Sequence, residues 1–363
     1  MTSARPQPAN NTPKLLGLSA VLAVTLVIYY YVFLFLREGT ANAWIIFAVS
    51  LLWGIGGVWL LFVLTSSIVD LLNEKWRQKI MPWVFALPAL AMVFYYLLLP
   101  TIRTIYLSLF NDDSTKFVGI DNYIYAFTSP NMLESFKNNL VWIIVGGGLS
   151  VVLVLLIAAL ADRTHPKFEV LMKASVFLPM AISMIGAAVI WRLVYAFAPG
   201  TEQVGLLNAV NVTLGGSPIP WLNQRPLNTY LLIVILSWMQ TGFALVVFSA
   251  AIKGIPSELL EAARIDGASE LQSFFKITLP YIQITVISVS TTIVIFTLKV
   301  FDIVFGMTGG NFGTQVIANE QYVQMFRNSD YGRGSAIAVV LLITVLPVVY
   351  YNIRDFGQNA KGF

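Results

Sequence analysis

The 363-residue sequence contains no cysteine, a single histidine and few charges: 11% of its residues are Asp, Glu, Lys or Arg. Without cysteine there are no disulfides, no thiol catalysis and no thiolate metal sites. One histidine excludes metal centres that need several imidazoles. A soluble domain carries about a quarter charged residues, so the charge deficit excludes a soluble or disordered chain. The 22 Lys and Arg outnumber the 18 Asp and Glu, but they are scattered, and no basic stripe for nucleic acid forms. Long apolar runs fill the gap. Hydrophobic residues make up 57% of the chain and the mean hydropathy is +0.76. This is the composition of an integral membrane protein.

A bilayer core of about 30 Å takes roughly 20 apolar residues in a helix. Eight charge-free stretches approach or exceed that length: 15–36, 43–69, 80–102, 140–161, 174–191, 229–252, 281–298 and 335–353. Hydrocarbon leaves no free backbone group satisfied, so each is expected to be a helix, and the fold class is an all-α membrane protein with eight transmembrane helices. With both termini placed in the cytoplasm, thirteen Lys and Arg (Arg5 and Lys361 among them) fall inside and eight outside, Lys299 standing at a helix end. The bias is clearest in 75–79 and 163–173. Ala41-Asn42-Ala43 has the form of a signal-peptidase site, but the 22-residue run before it exceeds a signal core of about 7–15 residues, so the first helix is read as uncleaved. The organisation is then 1–79 with two helices, 80–138 with the third helix and an outer loop, a core at 139–355 containing the inner loop 255–280, and a tail at 356–363.

Other chemistry is missing too. No G-x-x-x-x-G-K-[ST], G-x-S-x-G or H-E-x-x-H pattern occurs, and no repeat of 20–50 residues is visible. Gly146-Gly147-Gly148 lies in a span, where small residues permit close packing. His165 reads as solvated. No span centre holds a firm charge, which argues against a self-powered carrier. Lys299 and Asp302 are three apart and are placed to pair on one helical face.

The inner loop is patterned. Pro256 or Ser257 begins a short helix, Asp266-Gly267 ends it, and Ser269 with Gln272 forms a capping box for a second; Pro280 marks the turn into the next span. The first helix presents Ala262 and Ala263 beside Glu261 and Arg264, small residues for docking and charges for direction. Glu261-Ala262-Ala263, three residues, Gly267, nine residues, Ile277, one residue and Leu279-Pro280 match the EAA loop of ATP-binding-cassette importer permeases. The resemblance extends over roughly three quarters of the chain, 80–353. Within that family the chain resembles the carbohydrate permeases of the maltose type, larger-subunit class, through 117–123, Phe177-Leu178-Pro179, Lys299-Val300-Phe301-Asp302 and Thr308-Gly309-Gly310.

The resemblance implies a six-helix type I importer core with two added N-terminal helices. It implies a coupling loop carried by Glu261, Ala262, Ala263, Asp266, Gly267, Ile277, Leu279 and Pro280 and seated on a separate ATPase. The implied partners are a second permease, two ATPase subunits and an extracytoplasmic sugar-binding protein, in the bacterial inner membrane. ATP and Mg would be bound by the ATPase partner and no cofactor by this chain, which is not itself an enzyme. Aligned on the loop, Trp238, Gln240 and Phe243 of the sixth span and Phe296, Thr297 and Val300 of the seventh fall on the family's sugar-lining positions. The large outer domain of the maltose relative is missing, and Asn311 stands where the family often has proline. The alternatives are an importer of another polar solute (a glycerol phosphate or polyol) and a stand-alone carrier.

Overall fold

A computed structural model describes residues 12–161, 164–200 and 202–359. Arg5, Arg163 and Lys361 of the charge count, and the last residues of the expected tail, lie outside the described residues. Among the described residues no strand forms, only an isolated antiparallel bridge between Phe110 and Phe117.

Six described helices are long and apolar enough to cross a bilayer: Thr12–Glu38, Ala43–Asp70, Glu74–Leu107, Pro130–Ala161, Leu227–Lys253 and Tyr331–Tyr351. Two further spans are bent pairs, Lys167–Ala181 with Met184–Val194 at 104° and Glu270–Tyr281 with Gln283–Leu298 at 74°. Taking each pair as one span gives the eight expected, in the expected order.

The bends add to the expectation of eight helices that two of them are broken. Pro179 offers no N–H to the helix before it. There the chain tightens into the 3-10 turn Leu178–Ala181, goes extended at Ile182, and restarts where Ser183 Oγ accepts from the Gly186 amide at 3.0 Å. In the seventh span the turn expected at Pro280 comes at Ile282, after a π turn at Phe274–Thr278. Two spans also start earlier than hydropathy suggests. Asn73 caps the third, so Lys75, Arg77 and Lys79 stand on its opening turns rather than in a loop. Ser129 caps the fourth, whose polar first turns run through the former loop. His165 is exposed as expected, and it caps the helix Pro166–Phe177 by accepting from the Lys167 amide. The last helix runs to Asn359, into the expected tail.

Contacts divide the chain into two compact units, Met1–Ile102 and Arg103–Phe363. The divide falls within 80–138, the segment read as holding the third span and its loop. In the first unit Tyr29 and Trp53 stack at 4.6 Å. Each donates to the other's backbone carbonyl, Tyr29 Oη at 3.2 Å and Trp53 Nε1 at 3.1 Å. Gly57 makes room: a Cβ there would lie 2.3 Å from the Tyr29 ring.

In the second unit the sixth span, Leu227–Lys253, runs through the core and buries residues on every side, from Leu232 to Phe248. Toward its outer end it packs with Trp142, Ala187, Ala188, Ile303 and Val304. Toward its inner end it packs with Val154, Ala158, Val289 and Ile293. Lipid tails are as apolar as leucine, so burial alone does not drive these contacts; close approach and interhelical hydrogen bonds do. The closest approach is at Gly242, where a Cβ would meet Phe177 Cα at 2.9 Å and Val176 O at 3.0 Å. The triple glycine expected to supply it does not: at Gly146 and Gly147 the nearest atoms are at ordinary distances of 3.5 and 3.6 Å, and Gly148 faces open space. Ser150 Oγ donates to Ser237 Oγ at 2.9 Å across the same packing, a bond worth about 0.6 kcal/mol in a membrane interior.

This packing sets an expected contrast. Gly242→Val presses against backbone, which no rotamer change relieves, and lowers stability by about 1–3 kcal/mol or more. Gly148→Ala meets nothing and gains up to about 1 kcal/mol of helix propensity. Thermal unfolding of the purified protein in detergent separates the two; equal melting points would contradict the assignment of the contact.

Candidate functional site

The inner loop folds as its residues dictate. After Ile255-Pro256 a helix spans Ser257–Ile265 and ends at Asp266. Gly267 follows at φ +77°. Its amide donates to Arg264 O at 3.1 Å, and the Ala268 amide reaches back to Ala263 O at 2.9 Å; these two bonds are the Schellman ending of a helix. A Cβ on Gly267 would touch nothing, so the glycine is required by backbone conformation and not by space. Ser269 then starts the second helix with the expected box: its amide donates to Gln272 Oε1 at 2.8 Å, and its Oγ accepts from the Gln272 amide at 3.3 Å.

The loop differs from expectation in what it presents. Of the small pair, Ala262 is exposed and Ala263 is buried against the chain itself. Arg264 pairs across the glycine turn with Glu270 at 3.6 Å, both side chains more than half exposed, and leaves Glu261 to face outward without it. An exposed pair of this kind is worth about 0.2–1 kcal/mol. Asp266 and Pro280 are exposed, and Ile277 and Leu279 are half-buried. Sequence reasoning missed the apolar part of this surface: Ile265 is 86% exposed and Leu271 71%, with Phe275 and Leu259 also open. The signal was available, because Leu259 and Ile265 fall on a short charged helix and Leu271 and Phe275 follow the capping box at the polar start of the seventh span. It also missed a clamp at the loop's root. Glu169 of the fifth span pairs with Lys173 and with Lys253, the last residue of the sixth, and Lys173 reaches Ser249.

The six residues aligned with sugar-lining positions divide in two. Trp238 is half-buried, edge-on to Trp191 at 5.7 Å. Gln240 is half-buried, and its Nε2 is buried with no partner; so is the indole N–H of Trp191. A buried donor left unpaired costs about 1–3 kcal/mol. Phe296 is half exposed. Phe243 is half-buried and packs on the inner-end core. Thr297 and Val300 lie in the core: Thr297 is fully buried, its hydroxyl donating to Ile293 O at 2.7 Å, and Val300 joins the outer-end cluster. The expected Lys299–Asp302 pair does not form, because the helix ends at Leu298 and the chain breaks at Phe301 before restarting at Asp302.

The connection between Met307 and Ile317 is held in a defined shape. Gly309, Gly310 and Gly313 adopt positive φ, as does Phe312, and side-chain amides pin this loop. Asn138 donates to Gly313 O and Gln315 O at 2.8 Å each, Asn228 to Phe312 O at 2.8 Å, and Asn139 accepts from the Ile317 amide at 2.9 Å. Asn311, the departure from the family's proline, donates to Thr308 O at 2.8 Å and holds the turn by a different means. Glu320 is fully buried and accepts from Gln315 at 2.6 Å, Gln324 at 2.7 Å and the Tyr125 hydroxyl at 3.4 Å. Burial and then the Glu320 charge push the Tyr125 phenol above its ordinary pKa.

Comparison with known proteins agrees with this geometry. The profile of the family described as "Binding-protein-dependent transport system inner membrane component" matches residues 152–356. The osmoprotective compounds uptake permease protein GgtC of Synechocystis is 51% identical over 77% of this chain and 99% of its own length. The alpha-glucoside transport system permease protein AglF of Rhizobium meliloti is 46% identical over 80% of this chain and 86% of its own. Among solved structures, a bacterial alginate ABC transporter in complex with an alginate pentasaccharide-bound periplasmic protein contains a chain of the same fold. It has TM-score 0.68 and 21% identity, covering 77% of this chain and 95% of that one. With the patterned inner loop, the bent spans and these likenesses together, the chain belongs to the binding-protein-dependent transport system inner membrane components.

Proposed function

We propose that this chain is one of two permease subunits of an ATP-driven importer for a sugar, a di- or oligosaccharide, and that it forms half of the passage. The observation that carries the reading is the inner loop: a short capped helix ending at Gly267, with Ile265 and Leu271 exposed and Glu261 facing out. Exposed apolar side chains on a polar segment mark a protein contact. The chain carries no phosphate-binding loop of its own, so the partner there is the one that binds ATP and Mg. Two such ATPase subunits, a second permease and an extracytoplasmic binding protein complete the assembly. Both termini are cytoplasmic, which puts the inner loop on the ATPase side.

The mechanics follow from the fold. Closure of the ATPase dimer moves the docked helix Ser257–Ile265, which joins the sixth span through Gly254-Ile255-Pro256. The Glu169 clamp ties that span's inner end to the lower half of the bent fifth span. Trp238, Gln240 and Phe296 line the passage; Phe243 borders it, and Thr297 and Val300 back it. An indole face suits the C–H face of a sugar, and the unpaired Gln240 Nε2 suits a hydroxyl. The name of the 46% identical relative, an alpha-glucoside permease, supports a glucoside among the sugars, and that of the 51% identical one, an osmoprotective compounds permease, leaves another polar solute as the alternative. A phosphate ester would require several cations, and only Lys299 is near.

Two outcomes are expected. Gly267→Val costs about 1–2 kcal/mol for the left-handed residue, more for a β-branched one, and Glu261→Lys reverses the outward charge. Both variants insert in the membrane, but they lose co-purification with the ATPase or sugar-stimulated ATP hydrolysis. Full stimulation in both would refute the coupling role. Trp238→Ala abolishes uptake of the cognate sugar in vesicles while assembly persists; unchanged uptake would remove Trp238 from the passage.

A further inference from the structure

A row of aromatic rings lies beyond the six aligned positions, on the outer side of the seventh span. Phe301 and Phe305 stack at 5.1 Å with planes 23° apart. Tyr322 closes on both, at 5.3 Å from Phe301 and 5.0 Å from Phe305. Phe326 continues the row 5.3 Å from Tyr322. The rings are two i,i+4 pairs, one on Asp302–Met307 and the residue before it, the other on the segment from Ile317–Tyr322 through Val323–Arg327.

Three observations argue that this row is more than packing. Phe326 is 63% exposed and is followed by Arg327-Asn328-Ser329-Asp330, while the buried face of the same segment holds Glu320 and Gln324. The polar residues around it suit water rather than hydrocarbon, and the exposed Phe326 ring is continuous with the partly exposed Phe301, Phe305 and Tyr322, a contiguous apolar patch of the kind that marks a binding site. Next, the Tyr322 hydroxyl makes no hydrogen bond among the described residues. Last, Lys299 is exposed and Asp302 half-buried on either side of Phe301, and neither takes part in an ion pair because the helix between them is broken. Flat apolar faces edged by a free hydroxyl, a cation and a carboxylate suit a ligand that is apolar on its ring faces and hydroxylated round its rim.

We infer that Phe301, Phe305, Tyr322 and Phe326, with Lys299 and Asp302, form a saccharide-stacking ribbon that receives the sugar at the outer side and leads it toward Phe296 and Trp238. The inference rests on the sugar-importer reading above. The stacking is degenerate: a ring slides from one face to the next without any single contact being strong enough to hold it.

The test uses the assembled importer in vesicles, with the binding protein loaded with maltotriose or with methyl α-glucoside. The double variant Tyr322→Ala, Phe326→Ala is expected to cut uptake about tenfold at saturating loaded binding protein, the loss of two ring contacts. Co-purification with the ATPase subunits stays as in the wild type. Tyr322→Trp with Phe326→Trp keeps the faces and keeps uptake within about twofold. Lys299→Met with Asp302→Asn lowers uptake about threefold. Should the double alanine variant fail to assemble, Phe326→Ser, at the most exposed ring, takes its place with an expected loss of about threefold. Wild-type uptake in the alanine or serine variant overturns the ribbon. So does a loss that excess binding protein restores, which would make the row a protein-docking patch. If Trp238→Ala blocks uptake while the ribbon variants do not change it, the ribbon alone falls. If the wild-type importer moves no saccharide, the sugar reading falls and the ribbon with it.

Discussion

The sixth span is pressed onto the backbone of the fifth at Gly242, and the rest of the second unit depends on that approach. Inside a bilayer, apolar surface gains nothing by being covered with more apolar surface. Helices hold together there by coming close enough for dispersion and short polar bonds to count. Gly242 against Phe177, Ala244 and Ala158 in the inner-end core, and Ser150 donating to Ser237 are the forms this takes here. The end of the sixth span at Lys253 leads directly into the short helix Ser257–Ile265.

The breaks in the helices lie where the chain can tolerate them. Pro179 and the extended Ile182 interrupt the fifth span, and Ser183 caps the free amides that result. Ile282 interrupts the seventh next to the inner loop. Each break turns one span into two segments set at an angle, 104° in the fifth and 74° in the seventh, and each lies beside the sixth span or the loop it feeds. At the outer side the equivalent task falls to side-chain amides. Asn138, Asn139 and Asn228 bind the backbone of the loop at 312–317 and replace the hydrogen bonds that its irregular backbone cannot make for itself. The loop at 312–317 is therefore shaped by side-chain amides, while the loop at 255–280 is capped and apolar.

Local chemistry made much of this legible. Eight apolar runs gave eight spans because hydrocarbon permits nothing but helix at that length. The inner loop was readable down to single bonds, because the Gly267 ending and the Ser269–Gln272 box depend only on residues within a few positions of each other. The outward start of the fourth span was not readable, since its first turns are polar and carry no hydropathy signal. The Lys299–Asp302 pair failed because an i,i+3 argument presumes an unbroken helix.

The sequence by itself determined the class, the number and order of spans, and the capped helix pair of the 255–280 loop with the family it resembles, since each follows from composition or from near-neighbour backbone chemistry. Only the tertiary structure decided which glycine makes the close contact, that Ala263 turns inward while Ile265 and Leu271 face out, and that Thr297 and Val300 are buried while Trp238 and Phe296 keep open surface. The same holds for the row of Phe301, Phe305, Tyr322 and Phe326, whose two halves lie about twenty residues apart in the chain. Which face of a helix meets another depends on rotation, bend and the shape of every neighbour, and none of these is written in a window of residues.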